Sequence, residues 1–204
     1  MKGLMRQNWR ALAIPALLLL GACAQLPAPA GRAQLVLPAQ QRAQVLASVP
    51  RWTATGQASL RSPRESQSFG FVWRQQASGE QLRILGPLGN TVAELRDDGT
   101  QAELLEASGK RLTASTMSVL LERLLGVALP VAELPQWLLG IPPAGQVDAY
   151  DAAGLPQRAR WGSWQLQYLR FDAVGGLQMP ALLQASGPDD LQLRIAVSNW
   201  QLGQ

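Results

Sequence analysis

Ser68-Phe69-Gly70-Phe71-Val72-Trp73-Arg74 is the stretch of this sequence that best indicates its fold. Aromatic residues occupy every second position, so in an extended strand the rings of Phe69, Phe71 and Trp73 share one face. Residues 191–198 alternate in the same way, with aliphatic side chains at every second position. One apolar face on each strand is typical of an antiparallel sheet that covers a core on one side.

Further short strands, joined by turns that carry glycine or aspartate, are predicted on both sides of this stretch. In the first half they cover residues 81–85, 91–96 and 101–106, separated by Gly86-Pro87-Leu88-Gly89 and by Asp97-Asp98-Gly99. Turns of this composition favour an antiparallel meander. In the second half, alternation predicts strands at residues 158–161, 163–170, 179–185 and 191–198.

Between the two sets of strands the hydrophobic period changes to 3.6, which indicates a helix. Apolar residues stand at positions i, i+3, i+4 and i+7, namely Met117, Leu120, Leu121 and Leu124. Thr113 or Ser115 can cap the start of this helix, and Gly126 can end it. Shorter helices are predicted for residues 135–139 and 40–49. The sequence therefore predicts a single, mainly β fold with inserted helices.

The first 22 residues have the layout of a secretory signal peptide. Lys2, Arg6 and Arg10 form a basic start without acidic residues, and an apolar run follows at residues 11–20. This run is shorter than the roughly 20 residues that a membrane-spanning helix needs. Leu20-Gly21-Ala22-Cys23 then resembles the bacterial lipobox, in which the cysteine thiol receives a diacylglyceryl group and becomes the acylated N-terminus. The alternative is an ordinary signal peptide with a chance cysteine.

Cys23 is the only cysteine of the chain, so no internal disulfide competes for its thiol. Ala24 follows it, whereas an aspartate at this place resembles a signal for retention in the inner membrane. We therefore expect a lipid-anchored protein on the periplasmic face of the outer membrane. The predicted segments are a signal peptide at residues 1–22, a lipidated N-terminus and tether at 23–50, and a folded domain at 51–204.

Composition excludes several classes of function. The chain has no histidine, which rules out a histidine-based metal site or catalytic triad. Without residues 1–22 it carries 15 basic and 14 acidic residues, so the charge expected of a nucleic-acid-binding protein is missing. The pairs Asp97-Asp98 and Asp189-Asp190 lie beside turn glycines, and neighbouring strand residues point to opposite faces, which makes a catalytic dyad improbable. We expect no catalytic site, metal, cofactor or nucleic-acid partner.

Several segments in order along the chain resemble the LolB family, the outer-membrane lipoprotein receptors of the bacterial lipoprotein-sorting pathway. The resemblance covers residues 52–200, and its specificity comes from the order and spacing of the segments, since each one alone is a weak match. One departure concerns Gly56, which lies between Thr55 and Gln57 where members of the family often carry an arginine. Besides the lipobox, the matching segments are Phe71-x-Trp73, Leu82-Arg-Ile-Leu-Gly-Pro-Leu-Gly89, Leu124-Leu-Gly126, Leu129-Pro130, Trp137-Leu-Leu-Gly-Ile-Pro142, Trp164-x-x-x-Tyr168, Met179-Pro180 and Trp200.

The resemblance implies an incomplete antiparallel β-barrel, with short helices that lid an apolar cavity. It implies a monomeric receptor that accepts lipoproteins from a LolA-like periplasmic carrier and inserts their acyl chains into the outer membrane lipid. An exposed methylene costs about 0.8 kcal/mol in water, so both carrier and receptor need an apolar pocket. The transfer needs no covalent step, in agreement with the missing histidine.

Two groups of site residues are predicted. By its match to the family, the loop of Pro87, Leu88 and Gly89 is expected to contact the membrane, whereas residue chemistry alone also allows Leu88 to fold back onto the sheet edge. Large apolar residues are candidates for the wall of an acyl cavity, although a closed core would use them equally well. These candidates are Trp52, Phe69, Phe71, Trp73, Met117, Leu120, Leu121, Leu124, Trp164 and Tyr168.

Functions from other classes stay open at this point. A structural or assembly lipoprotein of the outer membrane would use the same sheet without a lipid cavity. A lipid-tethered periplasmic hydrolase would need a Gly-x-Ser-x-Gly elbow or a histidine base, and the sequence has neither. A soluble carrier must diffuse, and the lipobox argues against it.

Overall fold

The alternating stretches form one antiparallel sheet in the computed structural model, which describes residues 37–142 and 146–203. Three helices interrupt or precede the strands: α1 (Ala39–Ala47), α2 (Met117–Leu125) and α3 (Leu134–Leu139). The strands are β1 (Trp52–Arg61), β2 (Ser66–Gln76), β3 (Gly79–Leu85), β4 (Thr91–Asp97), β5 (Ala102–Glu106), β6 (Arg111–Ala114), β7 (Val147–Tyr150), β8 (Pro156–Trp161), β9 (Trp164–Val174), β10 (Leu177–Ser186) and β11 (Gln192–Leu202).

The sheet consists of two meanders that meet where the first strand pairs with the last. Its strand order is β6-β5-β4-β3-β2-β1-β11-β10-β9-β8-β7, and the two ends, β6 and β7, are not paired with each other. At the meeting point Trp52 lies opposite Leu202, and Leu60 lies opposite Leu193. The predicted incomplete antiparallel barrel with inserted helices is thereby confirmed.

Gly56 lies where the backbone of β11 comes close to β1. The register between these strands shifts between Thr55 and Gly56. A Cβ atom on Gly56 would collide with the carbonyl oxygen of Ala196, so this position requires glycine. Of its neighbours, Gln57 is exposed and Thr55 is half-buried.

The inner face of the sheet carries the core, as the alternation predicts. Phe71, Trp73, Leu193 and Ile195 are all buried on it. Helix α2 packs across β4, β5 and β6, and α3 packs against β10. Both helices end in a left-handed glycine, Gly126 for α2 and Gly140 for α3, which confirms the predicted helix ends.

The predicted start of α2 is wrong. Residues 111–114 pair with β5 as the edge strand β6, and the helix begins only at Met117, so neither Thr113 nor Ser115 is its cap. Thr116 occupies the N-cap position, without a side-chain hydrogen bond. The backbone N–H of Met117 donates instead to the carboxylate of Asp97, at 3.0 Å. The cap therefore comes from the end of β4, twenty residues earlier in the chain.

Helix α1 belongs to the folded body, although the sequence prediction placed it in the segment called the tether. Leu46 is fully buried in the core, and Arg42 is 2% exposed. The sequence does not predict strands β6 and β7, because each has only four residues, too short a run for its alternation to be recognised. The predicted signal peptide and Cys23 lie outside the described residues. Among the helices of the described part, none is long and apolar enough to cross a membrane.

Candidate functional site

An apolar cavity lies between the inner face of the sheet and helices α2 and α3. Its volume is about 40 Å³, and every residue of its wall is apolar. The wall consists of Ala58, Phe69, Phe71, Trp73, Leu82, Ile84, Leu193 and Ile195 from the strands, together with Leu121, Leu125, Leu129, Leu134 and Leu138 from the helices and the segment between them. The strands and the helices therefore enclose the cavity from opposite sides.

Four of the predicted wall residues line this cavity, namely Phe69, Phe71, Trp73 and Leu121. Their positions follow from the sheet: the three aromatic residues alternate on β2, and Leu121 faces them from α2. The structure places the other six candidates elsewhere.

Among these six, Trp52 contacts Trp200, with 5.6 Å between the ring centroids. Trp164 contacts Trp137 at the same centroid distance, and the Tyr168 hydroxyl donates to the Trp137 carbonyl at 3.1 Å. These residues pack in the closed part of the core. The remaining three lie on α2, where Met117 and Leu120 are fully buried and Leu124 is half-buried.

The wall also contains residues that sequence reasoning missed. Leu82, Ile84, Leu193 and Ile195 alternate on strands that were predicted, so the period of two is a signal that could have identified them. Leu134 and Leu138 are one helical turn apart in α3, and Leu125 follows Leu121 by the same spacing. Leu129 lies between the helices and has no such periodic signal.

The cavity is narrow in this structure. Pockets that hold drug-sized ligands measure about 300–1,000 Å³, far more than the 40 Å³ found here. The wall offers no hydrogen-bonding group to a polar ligand, because the indole N–H of Trp73 donates to Glu80 at 2.9 Å. An apolar chain can therefore enter only if α2 or α3 shifts away from the sheet.

Glu80 lies at the end of the cavity where Trp73 is found. Burial raises the pKa of its carboxyl group, the hydrogen bond from Trp73 opposes that change, and the charge of Asp97 adds to it. The carboxylate is thus held close to an apolar wall at a cost in free energy.

Helix α3 is held at its C-terminal end by Arg42 of α1. The guanidinium donates to the carbonyl oxygens of Gly140 at 2.7 Å, Leu139 at 2.8 Å and Gln178 at 2.8 and 2.9 Å. Burial lowers the pKa of Arg42 to about 10, and its interaction with Tyr168 partly opposes that change. Because Leu134 and Leu138 of the same helix line the cavity, Arg42 fixes one side of the wall.

The loop of residues 86–90 joins β3 to β4 and carries the most exposed large apolar side chain of the described residues. Leu88 is 95% exposed, so it does not fold back onto the sheet edge. The Gly86 N–H donates to the Asn90 carbonyl at 2.8 Å, and the Gly89 N–H donates to the Gly86 carbonyl at 2.9 Å. Gly89 has a φ of 79°, which this tight loop needs and which other residues rarely adopt.

The loop lies at the same end of the sheet as part of the cavity wall. Leu85, the last residue of β3, pairs with Gly70, and Ile84 pairs with Phe71. The wall residues Phe69 and Ile84 are therefore within one or two residues of the strand end from which the loop begins. Val92, which follows the loop, is a further exposed apolar residue at this end.

Comparison with known proteins identifies the family. Residues 50–200 match the family model for the outer membrane lipoprotein LolB. The outer-membrane lipoprotein LolB of Azoarcus sp. (strain BH72) is 30% identical over 198 residues, which is 97% of either chain. The protein of the same name from Alkalilimnicola ehrlichii is 30% identical over 201 residues, covering 97% of this chain and 99% of its own.

Solved structures agree on the fold. A LolA superfamily protein from Nitrosomonas europaea superposes with a TM-score of 0.53 at 10% identity, covering 82% of this chain and 94% of its own. A DUF1329 family protein from Desulfovibrio piger superposes with a TM-score of 0.52 at 11% identity, covering 80% of this chain and 90% of its own. At such identities the likeness concerns the architecture alone.

Proposed function

This chain belongs to the LolB family of outer-membrane lipoproteins, and we propose that it is the receptor that accepts lipoproteins from a LolA-like periplasmic carrier and inserts their acyl chains into the outer membrane. The observation that carries this proposal is the wholly apolar cavity beside a loop whose leucine is 95% exposed. A cavity of this kind shelters acyl chains from water, and the loop beside it can meet the membrane.

The cavity wall supports binding of acyl chains without any covalent chemistry. Each methylene moved from water to an apolar wall gains about 0.8 kcal/mol, so a long acyl chain provides enough free energy to displace a helix. Helices α2 and α3 are the parts that move in this proposal, because both cover the inner face of the sheet and supply leucines to the cavity wall.

Leu88 acts in the proposal at the transfer of cargo to the membrane. Pro87 and Gly89 hold it at the tip of a hydrogen-bonded loop, where its side chain can enter the apolar part of the bilayer. Full burial of a leucine contributes about 1.5–3 kcal/mol. The membrane anchor itself is Cys23, whose acyl chains would keep the protein on the periplasmic face of the outer membrane.

The proposal predicts that Leu88→Glu separates cargo uptake from cargo delivery. A carrier loaded with labelled lipoprotein is mixed with the protein, and the labelled complex is then mixed with phospholipid vesicles. A charge near the hydrocarbon costs a few kcal/mol, and 1.4 kcal/mol corresponds to tenfold, so incorporation into vesicles should fall about tenfold or more. Uptake should be unchanged, because the side chain of Leu88 does not line the cavity.

Leu169→Glu on β9 is the matched control, since Leu169 is 44% exposed and lies outside the loop. It should leave uptake and incorporation unchanged. Loss of both steps in Leu88→Glu, with an unchanged melting temperature, would instead place Leu88 on the surface that binds carrier or cargo. If neither step changes, the assigned role of Leu88 is wrong. If the parent protein takes up no cargo, the receptor function fails, and an assembly lipoprotein without a lipid cavity is the better description.

A further inference from the structure

Phe69 differs from every other residue of the cavity wall in its exposure. All the other wall residues are buried, whereas Phe69 is half-buried. The cavity therefore comes nearest to solvent at this ring.

The side chains of β2 change from apolar to polar at the same point. Its inward-facing residues are Trp73, Phe71 and Phe69, and the next position on this face, toward the strand end, is Gln67. The Gln67 amide donates to the Glu65 carboxylate at 3.0 Å and contacts the Leu125 carbonyl at 3.4 Å. Phe69 is thus the last apolar residue of its strand before a polar rim that reaches the C-terminal end of α2.

The neighbours of Phe69 in the cavity wall are small or aliphatic residues. Its pairing partner on β1 is Ala58, the smallest residue of the cavity wall. Leu121 and Leu125 face it from the half of α2 that ends at Gly126. On its other side β2 pairs with β3. There Gly70, the residue next to Phe69, lies opposite Leu85, directly before the 86–90 loop.

We propose that Phe69 is the gate of the acyl cavity, the side chain past which an acyl chain moves between the cavity and the membrane-facing loop. This inference rests on the proposed lipid-binding function and adds the route by which an acyl chain enters and leaves the cavity. In this structure the ring lies between β2 and the end of α2, where it narrows the passage. Rotation of the ring, together with a small displacement of α2, opens the passage beside Leu88. The ring therefore controls the rates of entry and exit.

The test compares two phenylalanines of the same strand by stopped-flow fluorescence. The probe is a dansyl-labelled undecanoic acid, and the parent is the unlipidated Cys23→Ser protein. Phe69→Ala should raise both the association and the dissociation rate constants by about fivefold or more, because the passage is permanently open. Phe69→Trp, which keeps the passage filled by a larger ring, should slow association by a similar factor.

Phe71→Ala is the matched control, since Phe71 lines the same cavity two residues deeper and is 4% exposed. Its dissociation rate constant should rise because of lost contact area, while its association rate constant stays within about twofold of the parent. Melting temperatures of all variants show whether they are folded, and Phe69→Trp supports the test if Phe69→Ala is unstable.

The outcomes distinguish the gate from the receptor function. If the parent binds the probe and both Phe69 variants keep its rate constants within about twofold, Phe69 is an ordinary wall residue and the gate is refuted. An equal rise in association for Phe69→Ala and Phe71→Ala would also refute it, since the effect would then be a general loosening of the cavity. If the parent does not bind the probe at all, the lipid-binding function and the gate are both overturned.

Discussion

Replacement of Arg42 by methionine tests how strongly helix α1 holds the lid helix α3. Arg42 is 2% exposed, and its guanidinium makes four hydrogen bonds, all to backbone carbonyl oxygens. Its Cζ atom also lies 5.5 Å from the centroid of the Phe171 ring. Methionine keeps most of the apolar stem and removes every one of these donors. The buried carbonyl oxygens of Leu139 and Gly140 then lose the guanidinium.

The expected loss of stability follows from two opposing contributions. Hydrogen bonds to a charged group contribute about 1.5–3 kcal/mol each, so four of them give a gross value of roughly 6–12 kcal/mol. Burial of the guanidinium lowers its pKa from 12.5 to about 10, which corresponds to a desolvation cost of roughly 3 kcal/mol that methionine does not incur. Because two of the bonds share the Gln178 carbonyl, we expect the lower part of the range, about 3–5 kcal/mol.

Thermal unfolding of the unlipidated protein measures this loss. For a domain of this size each kcal/mol lowers the melting temperature by about 2–4 °C, so Arg42→Met should melt roughly 6–20 °C below the parent. Arg42→Lys should lie between the two, because an ammonium has three donors but not the planar fork. Arg64→Met, at an exposed arginine of the β1–β2 turn, is the control and should stay within about 0.5 kcal/mol. If Arg42→Met melts within about 2 °C of the parent, the stabilising role assigned to the hydrogen bonds of Arg42 is refuted.

Two further predictions concern Cys23 and Glu80. Labelling of cells with a radioactive fatty acid should mark the parent and not Cys23→Ser, and equal labelling of both would show that Cys23 is not the lipidation site. The raised pKa of Glu80 means that the folded protein holds this proton more tightly than the unfolded chain does, so the carboxylate lowers stability. This loss of stability is absent when the pH lies below the ordinary pKa of 4.5, and it is complete once the pH exceeds the raised pKa of Glu80. Glu80→Gln can still accept the hydrogen bond from Trp73. It should therefore have a higher melting temperature than the parent at pH 8 and the same melting temperature at pH 3.5. The same difference at both pH values would contradict the assigned burial effect.

Local patterns were sufficient for the longer strands and for the C-terminal ends of α2 and α3. The alternation of Phe69, Phe71 and Trp73 identifies the inner face of β2, because the side chains of a strand point to opposite faces in turn. Gly126 and Gly140 end their helices in the left-handed region, where glycine has no steric penalty. The exposure of Leu88 also has a local cause, since the loop closes on itself through its own backbone hydrogen bonds.

The start of α2 shows where local patterns stop being sufficient. Thr113 and Ser115 have the chemistry of caps, yet residues 111–114 gain more hydrogen bonds as an edge strand beside β5. The helix consequently starts later and is capped by Asp97 from another strand. The prediction of Leu124 as a wall residue is affected by the same limit, because only the packing of α2 decides that Leu121 and Leu125 face the cavity.

The sequence by itself determined the inward face of the longer strands, the residues at which α2 and α3 end, and the resemblance of the chain to the LolB family. Tertiary structure alone decided which inward residues meet at the cavity. Its wall combines β1 with β11, separated by more than 130 residues, and periodicity carries no information about such distances. The hydrogen bonds of Arg42 to the end of α3 could not be predicted from the sequence either. Their acceptors are backbone carbonyl oxygens, which every residue possesses, and only their arrangement in space makes a site for the guanidinium.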